Sequence, residues 1–163
     1  MTRAPRQPGT PAFERATSLG YMVNHLARLF GRALETRLAV HQVTRGQFPV
    51  LLILWEEEGV TQSEIARRLD IEQPTVANTL RRMDRDGLVT LAPDPNNRRH
   101  VLVGLTERGR ALQAPLVAEA QAVNARAAAH LTAGEHTAFL ALLGKIAGAL
   151  QTDPQTQDER KRA

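Results

Sequence analysis

Two short helical patterns separated by only three residues are the feature that most constrains what this chain can fold into. Thr61 and Glu64 form a capping box at the start of the first pattern. Its inward-facing residues are predicted to be Ile65, Ala66 and Leu69. After residues 70–72 a second helix begins, because Pro74 is well tolerated in a first turn. A helix, a tight turn and a second helix form the unit that places a recognition helix on DNA.

The second helix is predicted to end at Gly87, because glycine readily adopts the left-handed conformation of a C-terminal cap. Its buried stripe is predicted to consist of Val76, Leu80 and Met83. Two strands are expected next, over 88–91 and 100–105, joined by a polar loop over 92–99. This order predicts a mainly α fold with a small β-wing, namely a winged helix-turn-helix domain.

Helical patterns also flank this unit on both sides. A long amphipathic helix is predicted from Leu19 to about Val40, and a second helix through Trp55 follows a capping box of Thr44 and Gln47. Pro49 is expected to cause a local irregularity in that second helix.

Beyond the wing, a long helix is predicted from Thr106 to about 129, irregular near Pro115. Thr132 and Glu135 form a third capping box ahead of a final apolar helix. Because the flanking helices are too apolar to remain free in water, two chains are expected to pack as a homodimer.

These patterns divide the 163 residues into a disordered tail over 1–12, an N-terminal dimerisation helix over 13–42 and a winged helix-turn-helix domain over 43–105. C-terminal dimerisation helices over 106–151 and a second disordered tail over 152–163 complete the expected organisation. The sequence has no apolar run of transmembrane length and no signal-peptide pattern, so a cytoplasmic protein without a membrane partner is expected.

Composition excludes several classes of chemistry. There are no cysteines, so disulfides, catalytic thiols and thiolate metal sites are excluded. The five histidines lack a metal-binding spacing, and neither Ser18 nor Ser63 lies in a nucleophile elbow. We therefore expect neither an enzyme nor a cofactor. The formal net charge is +4, and every basic residue except Lys145 and Lys161 is arginine, which suits DNA binding but also follows from a GC-rich genome.

The face of the second helix opposite its buried stripe is predicted to contact double-stranded DNA. Asparagine, glutamine and arginine can bond to base edges, and a threonine methyl can pack on thymine. The alternative is an ordinary solvated helix face. The predicted DNA contacts on this helix are Gln73, Pro74, Thr75, Asn78, Thr79, Arg81 and Arg82, with Arg85 at the flank. Further predicted contacts at the start of the preceding helix are Thr61, Gln62 and Ser63.

The wing tip is the second predicted DNA contact. It carries Asn96, Arg98 and Arg99 beside Pro95, and arginine is attracted to the narrow minor groove. One arginine is expected to enter that groove, and the other to hold the ribbon by pairing with a carboxylate such as that of Glu72. The sequence does not say which arginine takes which role.

The run from Phe48 to Arg110 contains four notable blocks, "LLILW", "TQSEIARRL", "TVANTLRRMDRDGLV" and "DPNNRRHVLVGLTERGR". Together they closely resemble the MarR family of bacterial transcription regulators. The resemblance extends over nearly all of residues 19–150. Asn97 departs from the "DPxDRR" pattern of many members. The resemblance implies a homodimer that binds a pseudo-palindromic operator, usually as a repressor, and releases it when a small molecule, often a phenolic or aromatic acid, binds between the DNA-binding and dimerisation parts.

A ligand slot is predicted between the first two helices. An apolar slot with one or two polar anchors is the usual composition of a small-molecule site, although such residues also form plain core. The candidate residues are Tyr21, His25, Arg28, Phe48, Leu52 and Trp55. Two alternatives remain open at this point: a winged helix that binds protein rather than DNA, and a constitutive repressor without an effector.

Overall fold

The structure, a computed structural model, describes residues 14–95, 97 and 100–152. It is mainly helical with a small antiparallel sheet, which confirms the predicted fold class. The elements, in chain order, are α1 (Leu19–Ala39), α2 (Phe48–Glu56), β1 (Val60–Thr61), α3 (Gln62–Leu69), α4 (Gln73–Arg85), β2 (Val89–Pro93), β3 (Val101–Leu105), α5 (Glu107–Ala111), α6 (Gln113–Ala128) and α7 (Ala133–Gln151).

The helix starts follow local chemistry. Ser18 and Thr61 cap α1 and α3 by accepting backbone N–H groups of Tyr21 and Glu64. The side chain of Gln47 accepts from the Thr44 N–H, but α2 itself begins only at Phe48. The expected irregularity at Pro49 is therefore wrong, because this proline lies in the first turn, where no backbone donor is needed.

The sheet has the strand order β1-β3-β2, and both pairs are antiparallel. Val89 pairs with Leu105 and Pro93 with Val101, so three of the four predicted strand limits differ by one or two residues and the end at Leu105 agrees. The two-residue strand β1, where Val60 pairs with Val103, was not predicted. A strand this short leaves no periodic pattern that a sequence could show.

The core lies under α4 and fixes its orientation. Val76, Leu80 and Met83 are buried as predicted, and they pack with Leu51 of α2 and Ile65 of α3. Because one face of α4 is held in the core, the opposite face is held toward solvent.

The chain after the wing forms a broken helix rather than one long helix. α5 ends at Ala111 and α6 begins at Gln113, so the interruption lies just ahead of Pro115, which fits the first turn of α6. The described chain divides into two compact units, one up to Val123 and one from Asn124 onward.

The second unit contains α7, whose start shows the complete capping box of Thr132 and Glu135 that the sequence predicts. No residue of α7 is buried within the chain. In the part of the chain that the structure describes, no helix combines the length and the apolar character needed to cross a bilayer.

Candidate nucleic-acid interface

The exposed face of α4 is polar and basic. Its three arginines oppose one exposed aspartate, Asp84, so the face carries positive charge. Four of its side chains line one open groove, and a groove with this charge attracts phosphate. The groove residues are Asn78, Arg81, Arg82 and Arg85; Gln73, Pro74 and Thr75 are also exposed, at the start of the helix.

Two hydrogen bonds organise the groove. Arg81 donates from Nη2 to Asn78 Oδ1 over 2.6 Å, and both side chains are exposed. Arg82 donates to the hydroxyl oxygen of Thr79 over 3.4 Å. Both acceptors are neutral side chains, so the charges of Arg81 and Arg82 can still attract an anionic partner.

Thr79 is not on the exposed face, which corrects the sequence-based prediction. Its side chain is only 7% exposed, and its hydroxyl donates to the Thr75 carbonyl oxygen over 3.0 Å. The residue lies at the boundary between the two faces of α4, where the helical period alone does not decide burial. Its hydroxyl supports Arg82 instead of reaching for a base.

The three predicted contacts at the start of α3 are placed differently from one another. Thr61 is half-buried, and its hydroxyl accepts the Glu64 N–H over 3.1 Å, so that oxygen is used as a helix cap. Gln62 is half-buried and Ser63 is exposed. Ser63 is therefore the most accessible of the three for a contact outside the chain.

A cluster of charged side chains lies on α3 and reaches the end of α2. Glu64 accepts from Arg67 Nη2 over 2.6 Å and from Arg68 Nε over 2.7 Å, and Arg68 also pairs with Glu57. The hydrogen bond from Arg67, followed by that from Arg68, lowers the pKa of Glu64 to about 2. These two guanidinium groups are paired with carboxylates, whereas Arg81 and Arg82 of α4 bond to neutral side chains.

The C-terminal end of α4 is held by contacts that no sequence pattern predicts. Gln47 is buried, and its side-chain amide donates to Asp86 Oδ2 over 2.8 Å. The guanidinium of Arg108 donates to the Asp86 carbonyl oxygen, and the Thr106 hydroxyl donates to the Gly87 carbonyl oxygen over 2.7 Å. The hydrogen bond from Gln47 is the main reason that the pKa of Asp86 is lowered. No sequence spacing connects these residues, so only the fold could reveal the arrangement.

Asn96, Arg98 and Arg99 of the wing tip lie outside the described residues, and so does the expected pairing with Glu72. The base of the wing is described: the Asp94 N–H donates to the His100 carbonyl oxygen over 3.0 Å, which closes the hairpin beyond the last strand pair.

The six candidate ligand residues form two separate groups. On α1, the Tyr21 and His25 rings stack with centroids 6.2 Å apart, and His25 and Arg28 are exposed. On α2, Phe48 is buried and meets Trp55 edge-on at 6.2 Å. Trp55 also donates from Nε1 to the Gly109 carbonyl oxygen over 3.0 Å. Among the described residues, none of the ring contacts joins the two groups.

Together, the paired helices α3 and α4 and the ribbon of β2 and β3 define a winged helix-turn-helix module. Residues 43–101 of this module match the sequence model of the MarR family. This match confirms the resemblance noted in the sequence.

Two curated relatives are named as regulators. The transcriptional regulator TtmR of Methylorubrum extorquens is 40% identical over 97 residues, which cover 60% of this chain and 50% of that protein. The transcriptional repressor NicR of Pseudomonas putida is 35% identical over 105 residues, which cover 64% of this chain and 66% of that protein. The matched region thus spans half to about two thirds of these relatives.

A solved structure shares the fold over almost its whole length. The PcaV transcriptional regulator of Streptomyces coelicolor, crystallised with its natural ligand, superposes with a TM-score of 0.79 at 27% identity. The alignment covers 86% of this chain and 99% of PcaV.

Proposed function

We propose that this protein is a cytoplasmic DNA-binding transcription regulator, acting as a homodimeric repressor on a pseudo-palindromic operator. The observation that carries the proposal is the exposed face of α4, where amide and guanidinium groups line an open groove above a buried apolar stripe. The names of TtmR and NicR, a regulator and a repressor, support the same class of activity.

The side chains of this face suit different parts of a DNA duplex. Gln73, Thr75 and Asn78 are exposed and short, so they reach a base edge only when α4 lies in the major groove. Arg82 and Arg85 are longer and charged, which suits contact with the phosphates at the groove walls. In this arrangement the β2–β3 ribbon lies beside the adjacent minor groove, which Arg98 or Arg99 would enter.

Apolar surface on both units supports a homodimer. Five large apolar side chains of α1 are exposed within the single chain, and α7 exposes four more. Such surface is unusual on a monomer, and a two-fold dimer would cover it while placing two α4 helices about 34–36 Å apart. The exposed residues are Leu19, Met22, Val23, Leu26 and Leu29 on α1 and Phe139, Leu140, Leu142 and Leu150 on α7.

Binding to DNA is tested by fluorescence anisotropy with a duplex from the region upstream of the protein's own gene and with a random duplex of equal length. We expect tighter binding to the specific duplex, and Asn78→Ala should reduce discrimination between the two by about 1–3 kcal/mol. Arg82→Ala should weaken binding to both duplexes alike. Equal loss on both duplexes for Asn78→Ala would refute base reading by this residue.

The dimer is tested by light scattering after gel filtration. Leu26→Asp on the exposed face of α1 should shift the mass from two chains toward one, because a charge cannot be buried unpaired in an apolar interface. The exposed polar position Asn24 provides the control, and Asn24→Asp should leave the mass unchanged. A wild-type protein that elutes as one chain would contradict the proposal.

We also propose that a small aromatic acid acts as the effector and binds at the candidate ligand residues on α1 and α2. His25 and Arg28 offer donors to a carboxylate, and Leu52, 39% exposed, offers apolar surface. The PcaV regulator was crystallised in complex with its natural ligand, which supports the proposal that this protein also binds a small molecule.

The effector is tested by a thermal-shift screen of aromatic acids. We expect stabilisation that falls in Arg28→Ala and His25→Ala, which alter exposed side chains, and release of the duplex by the same compound. Stabilisation that survives both substitutions would place the effector elsewhere. A failure of every acid to release DNA would favour a constitutive repressor.

A further inference from the structure

Among the described residues, the Asn78–Arg81 pair forms the shortest side-chain hydrogen bond of α4. The bond is short, 2.6 Å, and joins positions three residues apart, which are neighbours on a helix surface. Its donor is a charged guanidinium, and charge-assisted hydrogen bonds are stronger than neutral ones. Both residues line the same open groove, so they meet a DNA partner as one unit.

This contact changes what Asn78 offers to a base. A free carboxamide presents one acceptor and one donor side by side, which matches the N6 amino group and N7 of adenine. Here the acceptor oxygen already receives an N–H from Arg81, and the adjacent positive charge disfavours the approach of a base amino group. One lone pair of the Asn78 oxygen remains, but the guanidinium charge beside it favours base acceptors over base donors. The groups that then suit contact with a base are the Nδ2 amino group of Asn78 and the unused N–H groups of Arg81, and all of these are donors.

Donors alone match a base edge that carries acceptors alone. In the major groove guanine presents two acceptors, N7 and O6, whereas thymine presents the single acceptor O4 beside its methyl group, and adenine and cytosine each present an amino donor. We infer that the hydrogen-bonded pair of Asn78 and Arg81 reads guanine, with Arg81 acting as a specificity-determining residue that removes the adenine preference an isolated asparagine would have. This inference rests on the proposed function.

The experiment is selection of binding duplexes from a randomised pool with the full-length protein, followed by anisotropy on single-base variants of the selected site. The position that loses its preference in Asn78→Ala is the one that residue 78 reads. At that position the wild type should favour guanine over adenine on the order of tenfold. Arg81→Ala should move the preference toward adenine, since the carboxamide oxygen is then free to accept from N6.

Arg85→Ala is the matched control, because it removes the same charge from the same groove without touching Asn78; its partner is Asp86. It should lower affinity on all duplexes without changing the preferred base. Each variant alters an exposed side chain, and an unchanged melting curve will show that the fold is retained.

The outcomes separate the inference from the proposed function. Specific binding with a preference for adenine in the wild type, or with no change of preferred base in Arg81→Ala, overturns the inference alone. An Asn78→Ala variant that keeps the wild-type base preference at every position of the selected site also overturns the inference alone. Failure to bind any duplex overturns the proposed function, and the inference falls with it.

Discussion

Gly109→Ala tests how tightly α5 is packed against the base of the wing. A Cβ atom at this position would lie 2.2 Å from the Leu88 carbonyl oxygen and 3.1 Å from Leu105 Cδ2. The first contact is with backbone, so it cannot be relieved by turning a side chain. The glycine carbonyl also accepts the Trp55 Nε1–H over 3.0 Å, so a shift of α5 would lengthen that hydrogen bond as well.

Two effects of opposite sign decide the magnitude. Alanine is better than glycine in a helix by about 1 kcal/mol. Overpacking costs about 1–3 kcal/mol, and the loss of the partly buried hydrogen bond costs about 1 kcal/mol more. Since an oxygen at 2.2 Å must move by about 1 Å to reach ordinary contact, the upper end of the overpacking range applies. We expect a net loss of about 2–3 kcal/mol.

The assay is thermal unfolding followed by circular dichroism at a fixed protein concentration. For a chain of this size the loss corresponds to a Tm lowered by roughly 5–10 °C. Gly144→Ala in α7 is the control, because its added Cβ meets nothing within 4 Å and the same exchange should therefore stabilise the protein slightly. A Gly109→Ala protein as stable as the wild type would refute the packing argument.

Three further predictions concern other contacts. Gln47→Ala should cost about 1–2 kcal/mol in urea unfolding, because it removes a buried amide that bonds to the Asp86 carboxylate; an unchanged midpoint would contradict this role. Thr132→Ala should cost about 1 kcal/mol and Thr132→Ser much less, as the cap on α7 requires a hydroxyl; equal melting curves for the two variants would argue against the cap. The pKa of Glu64 is lowered from 4.5 to about 2, so its stabilising contribution is complete above pH 4.5 and is lost as the pH falls toward 2. Glu64→Gln should reduce this acid sensitivity, and acid unfolding identical to that of the wild type would count against it.

The arrangement of α3, α4 and the wing could be predicted because it depends on local signals. Pro74 in a first turn, the Thr61 cap and the positive φ of 66° at Gly87 each act within a few residues. The apolar stripe of α4 then determines which face is exposed. Only Thr79, at the edge of the stripe, was assigned to the wrong face.

Contacts between distant parts of the chain could not be predicted in this way. Gln47 and Asp86 are 39 residues apart, and β1 is too short to show a pattern. The conformation of Gln42, with φ of 59°, likewise follows from the turn that connects α1 to α2 rather than from a glycine signal. These features depend on where the helices pack, which a local pattern does not contain.

The central claim is that the exposed face of α4 lies against DNA, and the salt dependence of duplex binding tests it most directly. The logarithm of the binding constant should fall linearly with the logarithm of the salt concentration, and Arg82→Ala should reduce the magnitude of that slope by about 1, since one phosphate contact is lost. Asn78→Ala, which removes no charge, should leave the slope unchanged. A protein that binds no duplex at low salt, or an Arg82→Ala variant whose affinity and slope equal those of the wild type, would contradict the account.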